Sequence, residues 1–140
     1  MKNRPLNITY PLTIYYDASC PLCATEMHTI KETDFKNKLI LVDCSSNNFN
    51  VPTFCPSSKE TMMERIHAQD ATGAWIKGVD VFAIAYQAGG FTHLCQLWDS
   101  KTLKPILSRT YPFIADNRHW LSKTPLPYLL KKMLRMCAPT

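Results

Sequence analysis

The run Leu12-Thr13-Ile14-Tyr15-Tyr16-Asp17-Ala18-Ser19-Cys20-Pro21-Leu22-Cys23 decides how the chain is read. Leu12 to Tyr16 is short, aromatic and β-branched, with Pro11 at its start, which predicts a strand. Asp17-Ala18-Ser19 makes a turn. After it, Cys23, Met27 and Ile30 fall at i, i+4 and i+7 and share one helical face, with Glu26, His28 and Lys31 directed elsewhere. A C-x-x-C pair therefore sits between a strand and a helix start. Pro21 suits the first helical position, where its missing N–H costs nothing, and this makes Cys20 the N-cap. Its sulfur can accept from the free amides of Leu22 and Cys23, and the positive end of the helix dipole favours the thiolate further.

An ordinary cysteine with pKa about 8.5 is only about 3% thiolate at pH 7, whereas one at a helix start ionises far more readily. Cys20 is thus the expected nucleophile. Cys23 lies one turn inward and is expected to be shielded, acting as the resolving thiol on a neighbouring mixed disulfide; Cys23→Ser should then trap a mixed disulfide on Cys20. Asp17, if partly buried, would accept the proton of Cys23. Its alternative use is to cap the turn through hydrogen bonds to local amides.

Leu39-Ile40-Leu41-Val42, ending at Asp43-Cys44, reads as a strand buried on both faces and completes a βαβ unit. A Ser-, Asn- and Pro-rich loop spans 45–58, and a short helix runs from Lys59 to Glu64. A hairpin follows, with Arg65 to Gln69 and Ala74 to Lys77 flanking the type I turn Asp70-Ala71-Thr72-Gly73. Val79, Phe82, Ala83 and Tyr86 predict a helix that stops at Gly89-Gly90. Segments near 92–99, 103–121 and 126–137 read as short helices broken by Pro105, Pro112, Pro125 and Pro127. The order β-α-β-α-β-β-α fits a three-layer α/β fold of thioredoxin-like architecture, with a central mixed sheet and extra C-terminal helices. One domain is expected over 1–140, with a core at 12–90 and a helical extension at 91–140.

At Asp17, Cys20 and Cys23 the sequence resembles the DCC family of thiol-disulfide oxidoreductases, named for this Asp-x-x-Cys-x-x-Cys pattern. Further landmarks in the same order are the tyrosine-rich strand, Glu26, the run Gly78 to Ala83 and the run Tyr111 to Arg118, so the likeness covers most of 12–120. It implies a thioredoxin-like fold and dithiol-disulfide exchange through Cys20 and Cys23, and it names no substrate. Thioredoxin-like enzymes usually carry a cis-proline before the strand bordering the cysteines. Here that place falls near Glu64-Arg65 and holds no proline, so the substrate-binding edge is built differently. Arg65 could face Cys20, although an exposed strand arginine is the commoner arrangement. Asn117 and Arg118 could bind an anion or carboxylate, or tie helix ends together through the guanidinium fork.

The chain has 140 residues, 46% hydrophobic and 11% aromatic, enough for one core without a disulfide scaffold. Its cysteines are Cys20, Cys23, Cys44, Cys55, Cys95 and Cys137. Cys44 could be a third redox thiol, and the buried strand cysteine is the preferred reading; the last three read as small core hydrophobes. A zinc site from Cys20, Cys23, Cys44 and Cys55 lacks the second tight pair of a zinc ribbon, and the four histidines have no i, i+4 partner. No metal or cofactor is therefore assigned, and a zinc-binding or redox-responsive interaction module is the alternative function. The N-terminal stretch lacks a continuous apolar leader, which points to the cytoplasm and to reduced thiols. The net charge of +5 divides into 7 basic against 8 acidic residues in 1–70 and 9 against 3 in 71–140. So dispersed an excess reads as a solvated surface and not as a nucleic-acid site. Leu126, Leu129, Leu130, Met133 and Cys137 form the stripe of a basic amphipathic helix that could touch an anionic membrane, with docking on the protein's own core preferred. The expected partner is a disulfide-containing protein or a low-molecular-weight thiol.

Overall fold

The computed structural model describes residues 8–53, 55–98 and 100–137. Strand β1 (Leu12–Tyr16) leads through α1 (Pro21–Glu32) to β2 (Leu39–Asp43), followed by α2 (Lys59–Glu64), β3 (His67–Gln69), β4 (Trp75–Lys77) and α3 (Val79–Ala88). Among the described residues four helices follow: α4 (Thr92–Trp98), α5 (Lys104–Asp116), α6 (Arg118–Leu121) and α7 (Leu126–Cys137). Asp99, at the end of the expected 92–99 helix, lies outside the described residues. The sheet order is β2-β1-β3-β4. β1 runs parallel to β2, pairing Leu12 with Leu39 and Tyr16 with Asp43, and antiparallel to β3, pairing Tyr15 with His67. β3 and β4 form the antiparallel hairpin expected around Asp70-Gly73. This is a thioredoxin-like α/β fold.

β1 alternates as a two-residue period requires. Leu12, Ile14 and Tyr16 join the main core with Met27 and Ile30 of α1, Val81 and Ile84 of α3, and Leu134 of α7. Tyr15 points the other way, into a second cluster with Cys44 and Met62. Each fully buried aliphatic side chain of this kind contributes about 1.5–3 kcal/mol. β2 departs from expectation: Ile40 is 46% exposed, because β2 is an edge strand of the sheet and only part of it is covered.

Helix α1 is held at both ends. Cys20 caps its start and Pro21 fills its first turn. Past its last turn, Lys31 Nζ donates to Asp34 Oδ2 at 2.9 Å, to Asn37 Oδ1 at 2.7 Å and to the Leu39 carbonyl at 2.7 Å. Asp34 also accepts from the amides of Lys38 and Leu39, each at 2.8 Å. Burial works against its charge, but Lys31 and these amides more than offset that and hold its carboxyl below the usual range. Nearby, α3 passes so close that a Cβ on Gly89 would sit 2.9 Å from Ile30 Cγ2.

Pro112 lies inside α5 without breaking it. The break comes at Asn117, whose amide bonds back to the Phe113 and Ile114 carbonyls and whose own carbonyl accepts from Leu121 to begin α6. One lost amide is a smaller perturbation than a residue that turns the chain. Helix α7 docks on α1, as preferred, but on a rotated face: Leu134 is buried and Leu130 partly so, while Leu129 and Met133 are 52% and 45% exposed. Among the described residues no helix is long and apolar enough to cross a membrane.

Candidate active site

The β1-to-α1 turn places Cys20 at the N-cap, where its Sγ accepts from the Cys23 amide at 3.4 Å. Ser122, which follows α6, lies over it: its Oγ accepts from the Leu22 amide at 3.1 Å and lies 3.5 Å from Cys20 Sγ and 2.7 Å from the Arg118 carbonyl oxygen, so its one proton is shared between these two acceptors. The Cys20 thiol is lowered to about 5, chiefly by a hydrogen bond from the Cys23 thiol, with burial opposing and Ser122, the Cys23 amide and the Arg118 charge assisting. At neutral pH it is a thiolate. Cys23 is pushed strongly up, because it donates that hydrogen bond and is itself desolvated.

Exposure reverses the expectation for the pair. Cys20 is fully buried, sealed beneath α6, whereas Cys23 borders a cavity of about 240 Å³. Apolar side chains from α1, α3, α4, α5 and α7 wall this space, among them Leu22, Phe82, Trp98, Leu107, Ile114 and Leu130. Glu26 also borders it, one turn beyond Cys23. Expectation placed Glu26 on another face, yet i and i+3 are helix neighbours as surely as i and i+4. Its Oε2 accepts from Tyr86 Oη of α3. Burial raises the Glu26 carboxyl to about 7, with the Tyr86 hydrogen bond opposing and the Cys20 charge adding to the rise.

Asp17 takes the turn-capping role. It is buried, its Oδ1 accepting from the Ser19 amide at 2.9 Å and the Ser19 hydroxyl at 2.5 Å, and its Oδ2 from Arg118 Nη2 at 3.2 Å. Arg118 also donates to the Ala115 carbonyl at 2.9 Å and the Glu64 carbonyl at 3.4 Å, so its fork ties helix ends while its charge lies beside the thiols. Asn117 Nδ2 donates to the Phe113 carbonyl at 2.8 Å, a structural use at the end of α5. Arg65 borders the cavity, but it turns its Nη1 to Asp116 at 3.0 Å and to the Glu64 carbonyl at 3.0 Å and does not face Cys20.

Sequence reasoning missed Ser122. Its signal was the i, i+4 spacing from Arg118, which puts both on one helical face. Cys44 is fully buried with its thiol pushed up to about 12 by burial, so it is a core residue. Cys55 Sγ contacts Met62 Sδ at 3.7 Å in the same cluster. Among the described residues no three His, Cys, Asp or Glu side chains gather as a metal site requires. A cis bond occurs at Tyr10–Pro11, at the entry to β1, and residues 57–66, which lead into β3, contain no proline.

A strand, a dithiol turn and a thiolate-capped helix on this sheet define a thioredoxin-like dithiol protein. The chain matches the DCC1-like thiol-disulfide oxidoreductase family over residues 14–124 and belongs to it. It is also 33% identical over 93 residues to an uncharacterized chloroplastic protein of Arabidopsis thaliana, an alignment covering 64% of this chain and 44% of that one. The chain thus spans less than half the length of that relative. No solved structure matches it.

Proposed function

We propose that the protein exchanges disulfides through the Cys20–Cys23 pair. The observation that carries this reading is a thiolate-stabilising N-cap at Cys20 within hydrogen-bond reach of a second thiol. Glu26 takes the proton role that the sequence gives to Asp17: it borders the same cavity as Cys23, and its carboxyl, raised to about 7, can both take and return a proton at neutral pH. Asp17 positions Arg118, whose charge favours the thiolates. The reaction partner is a thiol or disulfide compound and not a nucleic acid, and the proposed setting is the cytoplasm.

Titration in glutathione redox buffers, with free thiols alkylated and disulfides located by peptide mass spectrometry, tests the reading. A reversible Cys20–Cys23 bond that disappears in Cys20→Ser and in Cys23→Ser is the expected result. A pair that stays reduced in every buffer overturns it.

A further inference from the structure

We propose that the pair carries its mixed disulfide on Cys23, not on Cys20, and that the sulfur joined to it comes from a small, neutral, apolar thiol seated in the cavity beside Glu26. This rests on the exchange reading above and reverses the order expected from the sequence.

Access decides the order. Cys20 is fully buried and Ser122 covers its sulfur, while Cys23 borders the cavity directly. The apolar walls select the substrate. A charged thiol would have to shed its hydration there, which costs several kcal/mol per uncompensated charge. The arginines on the border offer little compensation: Arg65 already faces Asp116, Arg118 already faces Asp17, and the unpartnered buried Nε of Arg118 is a single N–H, too little to replace the hydration shell of a charged group. An extended peptide has no free backbone edge beside the pair either. The Glu64 carbonyl accepts from Arg65 and Arg118, and the Ile66 amide donates to Tyr111 Oη at 2.8 Å. Strand addition needs those groups unpaired.

The oxidised protein holds the Cys20–Cys23 disulfide. A thiol in the cavity gives its proton to the Glu26 carboxylate, and the resulting thiolate forms an S–S bond to Cys23 Sγ. The Cys20–Cys23 bond breaks, and its electron pair leaves on Cys20. A thiolate of low basicity leaves faster, and the N-cap stabilises Cys20 in that form. A second substrate thiol, losing its proton to solvent, attacks the substrate sulfur of the mixed disulfide. The electron pair then leaves on Cys23, which takes the proton held by Glu26. Two thiols become one disulfide, and the protein becomes a Cys20 thiolate with a Cys23 thiol. A small apolar disulfide entering the same cavity re-oxidises the pair: the Cys23 thiol gives its proton to Glu26 and attacks that disulfide, one of its thiolates leaves, and the Cys20 thiolate then displaces the other from Cys23.

The test oxidises the wild-type protein with one equivalent of the small apolar reagent 2,2′-dipyridyl disulfide and removes the by-product. The protein is then mixed with benzyl mercaptan or with glutathione at equal thiolate concentration, quenched in acid, alkylated and fragmented. The expected result is a benzyl adduct on Cys23 with Cys20 alkylated, formed at least tenfold faster than reduction by glutathione. An adduct on Cys20, or glutathione reacting as fast, overturns the proposal while leaving exchange intact. Failure of the wild-type pair to oxidise at all overturns the underlying exchange reading. In a second arm, Cys20→Ser and Cys23→Ser react with 2,2′-dipyridyl disulfide. With each rate divided by that variant's thiolate fraction, faster modification of Cys23 in the first variant than of Cys20 in the second supports the order, and the reverse refutes it.

Discussion

Removing the Cys23 thiol should shift the ionisation of Cys20 by a measurable amount. The hydrogen bond from that thiol is the largest influence holding Cys20 near 5, against an ordinary value of 9.0. A hydrogen bond to a charged group is worth about 1.5–3 kcal/mol, and one pKa unit corresponds to about 1.4 kcal/mol. Cys23→Ala should therefore raise the Cys20 value by about one to two pH units. The Cys23 amide, Ser122 and Arg118 remain to hold it below an ordinary thiol. Cys23→Ser keeps an O–H donor at the same place and should move it by less than half as much. The assay is the ultraviolet absorbance of the thiolate followed against pH, each variant being read as a difference from the same protein carrying Cys20→Ser, so that the other cysteines cancel. Stability gives a second readout. Because Cys20 ionises at lower pH when folded than when unfolded, the reduced protein gains stability as pH climbs from about 5 toward the ordinary thiol range. It loses that contribution as pH falls through about 5. In Cys23→Ala the window should narrow from its acidic side. A wild-type Cys20 titrating like a free cysteine, or a Cys23→Ala variant unchanged from wild type, would falsify this account of the thiolate.

Glu26→Gln keeps a hydrogen-bonding partner for Tyr86 but cannot accept a proton. It should slow exchange about a hundredfold at neutral pH and erase the limb of the rate profile near 7; a profile that retains this limb counts against Glu26. Asp17→Ala leaves the Arg118 side chain, only 12% exposed, without its carboxylate. Urea unfolding should show a loss of about 3 kcal/mol, with Asp17→Asn losing less, and equal stability of all three proteins would remove Asp17 from the positioning role. Gly89→Ala would set a Cβ 3.0 Å from the Ile30 carbonyl oxygen, a backbone atom that yields poorly. A loss of about 1–3 kcal/mol is expected, and an unchanged unfolding midpoint would show that α1 and α3 can separate freely.

The βαβ unit, the hairpin and α3 were legible because each is written in local chemistry: alternating apolar residues in β1, proline after the N-cap, Asp70 and Gly73 in the turn, and glycines after α3. Cys20 as the capped thiolate came from the same local logic. What stayed hidden depends on packing between elements far apart in the chain. The seal over Cys20 comes from Ser122, 102 positions away, and periodicity within α1 cannot say which helix will lie across its start. Cys23 was expected to be shielded because its face carries Met27 and Ile30. That face does meet the core further along, but at Cys23 it opens on the space left between α1, α5 and α7. Glu26 was misjudged by counting only one of the two helical neighbours of Cys23, and the Tyr86 contact that anchors it belongs to α3. Pro112 was read as a break because a local rule was applied where the surrounding helix tolerates the missing amide.

The clasp at the far end of α1 bears on how the buried sulfur could ever be uncovered. Lys31 and Asp34 together knot the last turn of that helix to the first residues of β2, so any swing of α1 would break these bonds. Opposite it stands α6, four residues long and without a buried side chain of its own. Displacing α6 costs little apolar burial but breaks the buried Arg118–Asp17 pair, whereas tilting α1 would unmake its clasp on β2, so Asp17 sets how firmly Cys20 stays covered.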